Sequence, residues 1–328
     1  MKQLFAFLIA AALAIPAAHA QTANCATPGA DNAFLGIQTV RLWPGQPPGD
    51  KTPGVGTSPA TKSDPCSDTP ALTVFGPRQG TANGSAVIIF PGGAYIHLAG
   101  DLEGREIADW FTARGFRAFI LSYRLSSQGY LLPVPLLDAR RAIQTIRARA
   151  TDYQISPNRI VVIGFSAGGH LAALAGTQFE PGKPSAEDPI DRASSRPDYL
   201  VLGYPWLDAI TKDTTYLSYC KILNLMDQCD QLRAKYDPVL FVSNDTPPAF
   251  IYQTSADKTV SPAASIDFYQ ALLKAGVPSE LHVFVNGKHG SGLGKGDPAL
   301  DQWPGLLENW LRAQGLLTVD KSAVGSNP

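Results

Sequence analysis

One stretch of the chain constrains its fold more than any other. Arg159-Ile160-Val161-Val162-Ile163-Gly164-Phe165-Ser166-Ala167-Gly168-Gly169-His170 passes from a β-branched run through glycine and one serine into an alanine-rich segment. Residues 160–163 suit a strand covered on both faces, because branched side chains fit a pleated surface and two-sided burial leaves no polar alternation. Gly164, Ser166 and Gly168 fit G-x-S-x-G, a sharp strand-to-helix turn whose central serine needs small neighbours. A plain strand-turn-helix with a capping serine can be spelled the same way, since Ser is a good N-cap.

The rest of the chain supplies the frame for such a turn. From residue 86 onward short apolar runs alternate with helical patterns. Residues 86–90, 118–123, 160–163, 199–203, 249–253 and 281–285 read as strands. Between them, 103–114 spaces Ile107, Trp110 and Phe111 for a helix, and 136–150 puts Ala139, Ala142, Ile143 and Ile146 on one face. Residues 261–275 and 303–314 repeat the pattern. Alternation of this kind predicts an α/β fold: βαβ units, a mostly parallel central sheet flanked by helices, and right-handed crossovers. Functional groups then belong at the C-terminal ends of the strands. Residues 178–198 and 206–244 break the rhythm and are expected to be small cap or lid insertions over the site. The Pro/Gly-rich segment 21–80 reads as an N-terminal arm with antiparallel edge strands near 39–43 and 71–75, where proline is tolerated. Residues 81–328 read as one domain.

Composition limits the partners. The chain of 328 residues is 45% hydrophobic and 17% charged, with a net charge of −1 and no basic blocks. That describes a globular protein and gives no reason to expect nucleic acid or an anionic membrane. Lys2, the apolar run 4–15 and Ala18-His19-Ala20 spell a signal peptide over residues 1–20, so the mature chain is expected to be secreted or periplasmic. The apolar run is too short to span a bilayer, and the mature form is expected to have no membrane segment. Four cysteines suit an oxidising compartment. They allow three pairings, of which sequence neighbourhood favours Cys25–Cys66 and Cys220–Cys229. No C-x-x-C pair occurs and the histidines are scattered, so neither metal nor cofactor is expected.

A serine hydroxyl is a weak nucleophile and needs a base, and the base needs an orienting group. His289 is the strongest base candidate, because Asn286-Gly287-Lys288-His289-Gly290 is a flexible loop after the last strand. His170 reads as a packing residue, His282 as a strand residue, and His97 as a residue that could line the site. Asp257 follows the strand 249–253 and lies between Ser166 and His289 in the chain, the order Ser…Asp/Glu…His. Its alternative role is to cap the helix beginning near Ser261; Asp208 and Asp267 are its rivals. Phe90-Pro91-Gly92-Gly93-Ala94-Tyr95 follows the first parallel strand and offers a permissive backbone. The N–H groups of Gly93, Ala94 and Ala167 are therefore candidates for an oxyanion hole.

These motifs together resemble the α/β-hydrolase superfamily, and most closely its secreted esterase/lipase-like group of acetyl, acetyl-xylan and feruloyl esterases. The resemblance extends through Glu103-Gly104, Tyr123-Arg124-Leu125, Asp138-Ala139-Arg140-Arg141, Tyr204-Pro205-Trp206, Asp257 to Val260 and His289-Gly290. It covers nearly all of the mature chain. Two departures stand out: Pro91 replaces a frequent histidine, and Asp257 lacks a frequent acidic neighbour. The resemblance implies a serine ester hydrolase working through an acyl-enzyme, with a small ester or an acylated polysaccharide or oligosaccharide as substrate. A feruloyl esterase, a prolyl-oligopeptidase-like peptidase and an inactive binding protein are the alternatives. Tyr95 and Trp206, on strand-end loops, would stack on a sugar or line the acyl pocket, or else simply pack the lid.

Overall fold

A computed structural model describes residues 38–55 and 68–324. The expected leader over 1–20 and the expected Cys25–Cys66 bridge lie outside the described residues. Eight strands form one sheet in the order β1-β2-β4-β3-β5-β6-β7-β8. β1 (Gln38–Arg41) pairs antiparallel with β2 (Ala71–Phe75), which pairs antiparallel with β4 (Arg117–Ser122). All other pairings, among β3 (Ala86–Phe90), β4, β5 (Ile160–Phe165), β6 (Tyr199–Gly203), β7 (Ala249–Thr254) and β8 (Ser279–Phe284), are parallel.

The α-helices among the described residues are α1 (Glu106–Thr112), α2 (Val134–Ala148), α3 (Ser166–Thr177), α4 (Tyr219–Ile222), α5 (Cys229–Tyr236), α6 (Pro262–Lys274), α7 (Trp303–Ala313) and α8 (Lys321–Val324). Strand alternation decides which of them cover each face. In β5, Ile160 and Val162 join a core with Ile143 of α2, Leu171 of α3 and Phe268 of α6. Val161 and Ile163 join the opposite core with Phe111 of α1 and Leu307 of α7. A strand clad on both faces has no solvent side, which is why residues 160–163 carry no polar residue.

Chain direction sorts the two insertions. The 206–244 segment follows β6, at the C-terminal edge of the sheet, and carries α4 and α5 joined by a Cys220–Cys229 disulfide. The 178–198 segment does not lie over that edge, contrary to expectation. It runs from the end of α3 to the start of β6, at the opposite edge, where Arg141 of α2 holds Asp188 at 2.5 Å and Asp191 at 2.8 Å. A second difference is local. The helix expected from residue 103 begins earlier, with a wide π-type turn over Asp101–Arg105 in which the Arg105 N–H reaches Gly100 O at 2.8 Å.

Candidate active site

Ser166 stands where β5 becomes α3, with φ at 51°. A left-handed backbone costs a non-glycine residue roughly 1–2 kcal/mol, so the surrounding structure must hold it there. Close packing does so. A Cβ on Gly164 would overlap the Gly168 carbonyl, and one on Gly168 would overlap the carbonyl oxygens of Phe90 and Pro91. The helix thus sits directly on the end of β3, and the glycines of the motif are the residues thin enough to allow it.

His289 and Asp257 arrive from the loops after β8 and β7. His289 Nε2 lies 2.7 Å from Ser166 Oγ, and His289 Nδ1 lies 2.7 Å from Asp257 Oδ2. A carboxylate can only accept here, so Nδ1 carries the hydrogen and Nε2 is left as the acceptor for the serine O–H. The Asp257 side chain is fully buried, and its Oδ1 accepts the N–H groups of Thr259 at 2.8 Å and Val260 at 3.1 Å. The imidazole is 17% exposed, enough to meet a ligand. A depression of about 460 Å³ beside it is lined by Ala256, Lys258, Thr259, Gly287, Lys288 and His289. The rival acids are elsewhere. Asp267 is exposed on α6. Asp208 is pushed up to about 6 by burial, and its Oδ1 has no hydrogen-bond partner among the described residues.

The loop after β3 curls tightly, with positive φ at Gly93, Ala94 and Tyr95. It is tied at each step. Tyr123 donates its O–H to Pro91 O at 2.7 Å, Gly92 donates its N–H to Glu103 Oε2 at 2.7 Å, and Ser126 donates both N–H and O–H to Tyr95 O at 2.8 Å. Successive N–H groups on such a curl form a concavity suited to an anion. Ala167 is the second residue of α3, where first-turn N–H groups lack intrahelical acceptors.

Tyr95 and Trp206 require correction as substrate contacts. Tyr95 is 1% exposed and Trp206 is fully buried. The Tyr95 hydroxyl binds His170 Nδ1 at 2.8 Å, and the Trp206 indole donates to Leu217 O at 3.0 Å. Both polar tips are thus consumed inside the core, as buried Tyr and Trp require. His170 is fully buried as well. Its Nε2–H donates to Tyr236 O at 2.9 Å, so it joins the end of α5 to the loop after β3, and burial pushes its pKa down to about 4. His97 is exposed, and His282 bonds Glu280 on β8. Sequence reasoning assigned no role to Glu103 or Tyr204. Burial pushes the Glu103 carboxyl up, while hydrogen bonds from Tyr204 and Gly92 oppose that rise. An acid opening a helix is ordinary, and only the Glu103-Gly104 pair in a matching stretch marked it.

A parallel sheet extended by an antiparallel pair, helices on both faces and a serine elbow at the C-terminal edge make this an α/β-hydrolase. The BD-FAE family model matches residues 72–272, and the chain belongs to that family of esterase/lipase-like α/β-hydrolases. An acetylxylan esterase of Xylanibacter ruminicola is 30% identical over 70% of this chain, and endo-1,4-beta-xylanase B of Butyrivibrio fibrisolvens is 31% identical over 70%. The matched region spans only 46% and 36% of those two proteins. Among solved structures, an acetyl ester-xyloside bifunctional hydrolase from Caldicellulosiruptor lactoaceticus is 35% identical with a TM-score of 0.71. That match covers 85% of this chain and 97% of the other. A thermophilic esterase from Thermogutta terrifontis, solved with propionate, is 26% identical with a TM-score of 0.62, covering 77% and 92%.

Proposed function

We propose that the protein is an exported serine carboxylic ester hydrolase that removes short acyl groups, acetyl first, from plant polysaccharide or oligosaccharide. The observation that carries the reading is the unbroken hydrogen-bond chain from Ser166 Oγ through His289 to Asp257. Ser166 Oγ attacks the ester carbonyl carbon as His289 Nε2 takes its proton, and Asp257 stabilises the imidazolium that forms. The N–H groups of Gly93, Ala94 and Ala167 receive the carbonyl oxygen as it becomes an oxyanion. Collapse of the tetrahedral species expels the alcohol, which takes the proton from His289 and leaves Ser166 acylated. Water, deprotonated by the same nitrogen, then releases the acid. The xylan-linked names of the relatives support an acetylated sugar as the alcohol side. Export is read from the leader, and no helix among the described residues is long and apolar enough to cross a membrane.

Turnover of p-nitrophenyl acetate by wild type and Ser166→Ala tests the chemistry, and the variant is expected to lose about 10⁴-fold or more in kcat. Equal rates would remove the esterase reading. Acetate release from acetylated xylan, set against ferulate release from feruloylated arabinoxylan, tests the acyl group; faster ferulate release would reassign it.

A further inference from the structure

The site contains a second buried carboxylate that the triad does not use. Glu103 is 3% exposed, and the π-type turn over Asp101–Arg105 aims it inward although its neighbours Asp101 and Leu102 are exposed. Its Oε2 accepts the Gly92 N–H at 2.7 Å, and its Oε1 accepts the Tyr204 O–H at 2.7 Å. Tyr204 Oη in turn accepts the Gly292 N–H at 3.0 Å, three residues past His289. The Tyr204 ring meets the His289 imidazole edge-on, with centroids 5.1 Å apart. A Cβ on Gly92 would stand 2.6 Å from Glu103 Oε2 and 2.9 Å from Ser166 Cβ, so one glycine separates this carboxylate from the nucleophile.

We propose that Glu103 is a positioning residue that ties the loop after β3 to the base loop and brings a second carboxylate to bear on His289. The inference rests on the Ser166–His289–Asp257 reading. A buried carboxylate with no cation hydrogen-bonded to it among the described residues is costly, and such groups concentrate where chemistry needs them. The ionisable groups facing Glu103 are His289 and His97, with the phenols of Tyr204, Tyr123 and Tyr252 around it. His289 favours the ionised form of Glu103, and by reciprocity ionised Glu103 favours the imidazolium. When Glu103 is ionised, the positive charge that develops as the serine proton moves to Nε2 meets a second carboxylate besides Asp257.

Glu103→Gln keeps the volume and an acceptor for Gly92 but removes the charge. Removing an anion near an imidazole lowers its pKa, so the acidic limb of the kcat/KM profile should move down by about one pH unit. The same lost stabilisation should lower kcat at the plateau by about tenfold, with KM within about twofold. Glu103→Asp should bring the limb back toward wild type. A fall in kcat with the limb unmoved means a purely structural role and overturns the proposal, as does wild-type behaviour. Should Glu103→Gln fail to fold, Tyr204→Phe removes a donor to the carboxylate and should shift the limb in the same direction by less. Titration of the His289 ring by ¹⁵N NMR in Ser166→Ala, with and without Glu103→Gln, reads the same shift without turnover. It therefore decides the question even where the esterase reading fails.

Discussion

Ser166 and His289 are held by opposite means. Ser166 rests on β5, wholly buried between β3 and β6, and its strained φ is enforced by contacts too close for any side chain at Gly164 or Gly168. His289 rests beyond β8, the edge strand, where Val283 is 45% and Val285 75% exposed. Its glycine-rich loop is pinned by hydrogen bonds instead. Thr254 donates to Gly287 O at 2.9 Å, and Tyr252 and Trp303 donate to Gly292 O at 2.9 and 3.1 Å. Packing fixes Ser166 and polar tethers fix His289. Steric faults should therefore cost the fold, whereas tether faults should cost the chemistry.

The largest effect belongs to the tethered side. In Asp257→Asn, the amide oxygen can keep the Thr259 and Val260 N–H bonds, but the amide nitrogen faces His289 Nδ1 as a donor. The ring then takes the tautomer with hydrogen on Nε2, which cannot accept from Ser166. Turnover should fall by about 10⁴-fold with the melting temperature within about 3 °C of wild type. A comparable loss of melting temperature would mean that this loop, too, is held by the fold as a whole.

Next comes the packed side. Gly168→Ala drives a methyl onto the carbonyl oxygens of Phe90 and Pro91, which belong to backbone that has nowhere to move. Destabilisation of about 3 kcal/mol or more is expected, read by denaturant unfolding, with soluble yield falling alongside. A variant of wild-type stability would show that the elbow is looser than its contacts imply.

The same contrast explains what could be read from the chain. The elbow was legible because its strand, glycines and serine are contiguous, so local sterics spell it out. That Asp257 and His289 meet Ser166 was legible through chain order and strand-end position, since a parallel sheet delivers both loops to one edge. Tyr95 and Trp206 were not, because an aromatic residue on a strand-end loop suits a pocket and a core equally, and only tertiary burial separates the two. Glu103 was hidden by its ordinary place at a helix start, where a π-type turn no sequence pattern announces aims it inward. The 178–198 insertion was misplaced for an avoidable reason. It precedes a parallel strand, and that alone puts it at the edge opposite the site.

The smallest effect probes the packed side from within. His170, one turn below Ser166, accepts from the Tyr95 O–H and donates to Tyr236 O, and the Tyr95 ring meets it edge-on while itself packing against Tyr219. Its pKa lies at about 4 in the folded chain against 6.5 for a free histidine. Between those values the unfolded chain binds a proton that the folded one refuses. The stability of the neutral pair is therefore complete above pH 6.5, declines as the pH falls toward 4, and is lost below it, by about 3 kcal/mol in all. Between pH 7.5 and 5.5, wild type should lose about 1 kcal/mol more than His170→Gln, measured by urea unfolding. Asp138 and Asp208, both raised to about 6 by burial, titrate in the same window but alike in both proteins, and so cancel in the difference. Parallel stability curves would show that His170 takes up its proton without disturbing the packed side.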